Sequence, residues 1–238
     1  MFANLGFLVA SFNYPLTKNI NGKIINQHGT ALRALRCGFR YLIANRERFH
    51  IDPERIVLTG TSAGGNLAAN LAYATKDDLD FLDGEASSCP YSHIKLPRAI
   101  AFIGNSGVYN FALKMKTDQE ISGYVSNLYQ YFGFTREPAN LRELDRWQDN
   151  LIVGNVLRRV NRSYEPFSFI IQNRFDQRTR GQAQLLERVL DSRQPGNYVI
   201  YTPPLTSHDV PYFSKAEAYS EHSCHLISLL NEILAEKN

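Results

Sequence analysis

The chain has 238 residues, 44% of them apolar, which is enough to bury a sizeable core and excludes a disordered chain. Its 26 basic and 23 acidic residues leave a net charge of +3, and no Lys/Arg block of nucleic-acid-binding length occurs. Fifteen glycines and ten prolines exclude collagen-like and low-complexity chains, and no apolar run is long enough to span a membrane.

Residues 1–11 carry no Lys or Arg, so the basic start of a signal peptide is missing. Residues 6–12 (GFLVASF) form a continuous apolar run, as expected of a strand covered on both faces, and Pro15 ends it. Residues 29–48 place Leu32, Leu35, Phe39, Leu42 and Ile43 at helical spacing. Asp52-Pro53-Glu54 reads as a turn, residues 55–59 as a second strand, and 66–74 as an Ala/Leu-rich helix. Strands are then expected at 97–103, 167–172 and 198–202, with helices at 180–190 and 216–235. This alternation predicts an α/β fold, a mostly parallel sheet with helices on both faces. Residues 109–160 are too many for a βα connection and too helical for a loop, so they read as a cap insertion in a single domain spanning 1–238.

Cys37, Cys89 and Cys224 are few, odd in number and widely spread. No disulfide framework and no Cys-rich zinc site is expected, and Cys37 and Cys224 read as packed thiols on helices. Residues 77–84 (DDLDFLDG) resemble a calcium loop only superficially, because Leu82 stands where an oxygen ligand is required. His222 and His225 lie at i, i+3 without an evident third ligand, so they read as a solvated or packed pair. Asn161-Arg162-Ser163 is a glycosylation sequon that matters only in a secreted protein. The aromatic-rich stretch 124–134 suits an acyl pocket or a packed cap helix equally. The compartment stays open.

Gly60-Thr61-Ser62-Ala63-Gly64 is G-x-S-x-G with a β-branched strand before it and a helix after it. On so tight a turn the serine backbone is strained and its neighbours must be small, hence Gly60 and Gly64. The turn lifts the Ser62 hydroxyl above the sheet and aims the Ala63 N–H at a developing oxyanion. A glycine-rich turn whose serine merely caps the helix is the plainer alternative.

Serine needs a base to become a nucleophile. Of six histidines, His208 lies in a polar loop just after a strand, at the sheet edge that would carry Ser62. His28 and His50 flank a helix away from that edge, and His93 sits in a Ser/Pro-containing loop. The base needs an orienting carboxylate. Asp176 follows the fourth strand directly; Asp209 is the rival, but adjacent residues rarely face each other in a triad.

Residues 52–72 (DPERIVLTGTSAGGNLAANLA) resemble the α/β-hydrolase superfamily, in its esterase/lipase branch with the G-x-S-A-G-G elbow. Residues 11–16 (SFNYPL) are similar to the branch's Asn/Asp-Tyr-Arg-Leu strand end, with Pro15 in place of Arg. Residues 105–110 (NSGVYN) are similar to its Ser-Gly-x-Tyr-Asp segment that opens the cap. The resemblance covers residues 5–212. It implies Ser62 as nucleophile, Asp176 as acid and His208 as base, in the chain order Ser…Asp…His, acting on small-molecule esters without metal or organic cofactor. An amide or formamide substrate would fit the same machinery, and a catalytically impaired binding protein on this fold is the alternative.

The branch also carries a His-Gly-Gly-Gly-type loop upstream of the 6–12 strand, whose N–H groups complete the oxyanion hole. This sequence has no counterpart, and His28-Gly29 lies too late to serve. The expectation is therefore a fragment lacking the N-terminal strands, poorly soluble and slow. Losing one oxyanion donor costs roughly 10²–10³ in turnover.

Overall fold

An apolar run becomes a strand only where a neighbour takes its backbone hydrogen bonds. The computed structural model describes residues 3, 6–26, 28–73, 88–122, 128–131, 136, 139–140, 142–143, 156–160, 166–203 and 220–235. Within these, residues 7–17 have no regular secondary structure, and Leu8, Val9, Phe12 and Leu16 are exposed. The strand expected at 6–12 is thus not formed. The run is apolar enough, but no described strand pairs with it.

The chain next makes a small antiparallel hairpin of β1 (Lys18–Ile20) and β2 (Lys23–Ile25). Its Asn21-Gly22 turn has φ of 49° and 81°, the positive values a tight hairpin turn requires. Asn-Gly is the sequence signal for such a hairpin.

Helix α1 (His28–Ala44) buries Ala31, Leu32 and Ile43, and gives way at Asn45 to the short α2 (Arg46–Phe49). The Asp52 carboxylate accepts the Glu54 N–H at 2.9 Å, closing the expected turn. Strand β3 (Val57–Thr61) leads into α3 (Ala63–Ala72). Strand β4 (Ala101–Asn105) is buried throughout and precedes α4 (Phe111–Ser122), α5 (Leu128–Tyr131) and α6 (Val156–Arg159), which all fall in the expected insertion. Then come β5 (Phe167–Ile171), α7 (Gln182–Arg193), β6 (Tyr198–Tyr201) and α8 (Ser220–Ala235).

The sheet runs β3-β4-β5-β6, with every pair parallel. Alternate side chains divide between its faces. Leu58, Phe102, Ile170 and Ile200 pack with α3 and α7 through Ala68, Ala69, Leu186 and Leu190. Ala101, Ile103, Phe169 and Ile171 pack with α8 through Leu226 and Leu230. This is the expected α/β-hydrolase arrangement, with helices on both faces of a parallel sheet. Thr61, Asn105, Ile171 and Tyr201 share the last register row, so the loops after all four strands leave from one edge.

Cys37 is not the packed thiol expected of it. Cys37 and Cys89 form a disulfide, with Cα atoms 5.7 Å apart. An odd count prevents complete pairing, not one pair. Helix α1 lies against the segment before β4, where Arg40 Nε donates to the Ile94 carbonyl at 3.1 Å and Tyr41 meets Tyr91 edge-on. Residues far apart in sequence are thereby brought within bonding reach. No described helix is long and apolar enough to cross a membrane. Cys224 belongs to α8, while residues 77–84 and Asn161 lie outside the described residues.

Candidate active site

Ser62 occupies the turn between β3 and α3 at φ 54°, ψ −117°. A non-glycine residue there stores roughly 1–3 kcal/mol and persists only where its surroundings over-determine it. The Ser62 N–H donates to the Asn105 carbonyl at 2.9 Å, and the Ser62 carbonyl accepts the Asn66 N–H at 3.1 Å. The hydroxyl makes no cap hydrogen bond to the helix. A helix N-cap residue normally has β-region backbone and a side chain bonded to the first turn. Ser62 has neither, which removes the plain capping alternative.

The small residues around it have separate reasons. A Cβ on Gly60 would stand 2.2 Å from the Gly64 carbonyl oxygen. One on Gly65 would stand 3.0 Å from the Gly107 Cα and 3.1 Å from the Gly60 oxygen. A Cβ on Gly64 would meet nothing within 4 Å. The steric demand expected of Gly60 and Gly64 thus falls on Gly60 and Gly65. Ala63 opens α3, and its N–H belongs to the first helical turn, where no intrahelical acceptor exists.

Asp176 lies in the loop after β5, 3% exposed. Its Oδ1 accepts the N–H groups of Arg178 at 2.9 Å and Thr179 at 3.2 Å, and its Oδ2 accepts the Thr179 hydroxyl. Its own N–H donates to the Asn173 carbonyl at 3.0 Å. Phe175 beside it is exposed. Both Ser62 and Asp176 thus follow strands that end in the same register row. His208 lies outside the described residues.

Asn105 and Asn173, two buried amides that sequence reasoning passed over, lie between these loops. Asn173 Nδ2 donates to Asn105 Oδ1 at 3.2 Å and to Ser106 Oγ at 2.9 Å. The only available signal was an Asn at or just past the end of two successive strands, too common a residue there to stand out. Nearby, Gln182 Oε1 accepts the N–H groups of Tyr109 and Asn110, each at 2.8 Å, fastening the segment after β4 to α7. Burial holds the Tyr109 phenol protonated, far above the usual tyrosine range.

A cavity of about 750 Å³ lies elsewhere, between residues 6–12 and the outer side of β3. Neither Ser62 nor Asp176 lines it.

The BD-FAE family model matches residues 1–138, more than half of the chain and including Ser62. The chain belongs to the BD-FAE family. This family is of the α/β-hydrolase esterase type, so the chain is a hydrolase of that type, as the motifs imply. The BD-FAE match ends before Asp176 and His208. Among solved structures, a truncated carbohydrate esterase from gut microbiota is 18% identical, with TM-score 0.60, covering 86% of this chain and 70% of that one. Bacterial heroin esterase is 15% identical, with TM-score 0.60, covering 93% and 63%. Esterase B from Lactobacillus rhamnosis is 14% identical, with TM-score 0.64, covering 90% and 65%. The chain therefore spans about two-thirds of the length of these structures, and identities this low establish the shared fold. No curated protein matches.

Proposed function

We propose that this BD-FAE-family chain hydrolyses carboxylic esters of small molecules through an acyl-enzyme on Ser62. His208 takes the hydroxyl proton as Ser62 attacks the carbonyl, and Asp176 orients the imidazole. The Ala63 N–H and the start of α3 stabilise the oxyanion. His208 then protonates the departing alcohol, and water repeats the sequence to release the acid. None of these steps calls for a metal or organic cofactor.

The backbone of Ser62 carries this reading: φ 54°, ψ −117° on a strand-to-helix turn, with no cap bond from the hydroxyl. A serine needed only to start a helix would relax to the ordinary capping conformation. The buried Asp176 at the same sheet edge supports it, because the Arg178 and Thr179 N–H groups and the Thr179 hydroxyl hold the carboxylate in place.

Hydrolysis of p-nitrophenyl acetate tests the proposal. Ser62→Ala and His208→Ala each lower kcat about 10⁴-fold or more relative to the unsubstituted chain, and the two together lose little further. Turnover that survives Ser62→Ala contradicts the acyl-enzyme route.

A further inference from the structure

A triad divided among three loops works only if those loops hold a fixed spacing. The structure contains a second connection between nucleophile and acid. From the Ser62 N–H it runs to the Asn105 carbonyl at 2.9 Å. From Asn105 Oδ1 it continues to Asn173 Nδ2 at 3.2 Å. From the Asn173 carbonyl it reaches the Asp176 N–H at 3.0 Å. Both hydrogens of the Asn173 amide are committed, one to Asn105 and one to Ser106. The Ser106 N–H itself bonds the Ile171 carbonyl at 2.8 Å, where β5 ends.

Asn173 is 1% exposed, and its Oδ1 is buried without a hydrogen-bond partner among the described residues. A stranded buried acceptor is unfavourable, and an apolar side chain of similar size would avoid it. Asn is therefore suited to this position by what its donor side does. We infer that Asn173 is a positioning residue for the hydrolytic reaction, fixing the Asp176 loop against the Ser62 turn through Asn105. The inference rests on the reading of Ser62 and Asp176 as nucleophile and acid. Asn173 touches no reacting atom; it acts through where it holds the other two.

Displacing a catalytic group by about 1 Å costs about 10²-fold in rate. Asn173→Leu removes both donors while keeping the same branched heavy-atom skeleton. It lowers kcat for p-nitrophenyl acetate roughly 10–100-fold while KM stays within about twofold, because the substrate surface is untouched. Asn105→Leu does the same, and the double variant is no slower than either single one, the signature of one shared connection. Asn173→Ala serves as a second variant if the leucine does not fold, with folding followed by near-ultraviolet circular dichroism.

A folded Asn173 variant with unchanged kcat, or with kcat and KM altered in parallel, overturns the positioning role and leaves the triad reading standing. So do single losses that multiply in the double variant. An unsubstituted chain whose Ser62 takes no fluorophosphonate overturns the triad reading and the positioning role together.

Discussion

Residues 101–105 and residues 7–12 are both short apolar runs, yet the fold treats them oppositely. The first is β4, buried at all five positions and paired on both sides, by β3 and by β5. The second is irregular, with Leu8 55% and Val9 56% exposed. The difference is partnership rather than hydrophobicity. Each β4 peptide has a neighbour to take its N–H and C=O, whereas no described strand pairs with residues 7–12. The proposed nucleophile and acid fall on the paired side of that division, since Ser62 and Asp176 follow β3 and β5 in the parallel sheet.

Several substitutions break or sharpen that contrast. The largest effect is expected for Gly60→Ala. Its methyl would enter the Gly64 carbonyl, so the Ser62 turn must deform, and ester turnover falls about 100-fold or more even where the sheet survives. Turnover by soluble protein checks it. Next is Phe102→Ala, at a fully buried position of β4, which lowers unfolding stability by about 3–5 kcal/mol in a urea titration. Cys37→Ala follows. Opening a disulfide across a sequence separation of 52 costs about 2–4 kcal/mol, and reductant then no longer shifts the melting temperature. Smallest is Leu8→Ser. At an exposed position it moves stability by less than about 0.5 kcal/mol in the same titration. A Leu8→Ser loss approaching that of Phe102→Ala would mean residues 7–12 contribute to the folded sheet after all.

What the sequence disclosed tracks how local the deciding physics is. The Ser62 turn was legible because strand, glycines and helix are contiguous, and the paired strands because each run sits between helical patterns. The division between faces also follows from alternation within β3 to β6. The disulfide was hidden because Cys37 meets Cys89 only through the packing of α1 on the segment before β4. The demand on Gly65 rather than Gly64 rests on the approach of Gly107 and of the Gly60 carbonyl, which the five-residue G-x-S-x-G pattern does not show. That no described strand pairs with residues 7–12 escaped for the same reason: apolarity is written in the residues, but the presence of a neighbour is not. Asn105, at the end of β4, and Asn173, two residues past β5, look ordinary until the pairing of those strands brings their side chains within hydrogen-bond reach.

On the proposed route Ser62 is an activated nucleophile whose proton leaves to His208. Intact-protein and peptide mass spectrometry after treatment with a fluorophosphonate tests it most directly. One adduct is expected, located on Ser62 and absent from Ser62→Ala and His208→Ala. An adduct on another residue, or labelling of Ser62 that persists at full rate in His208→Ala, would contradict it.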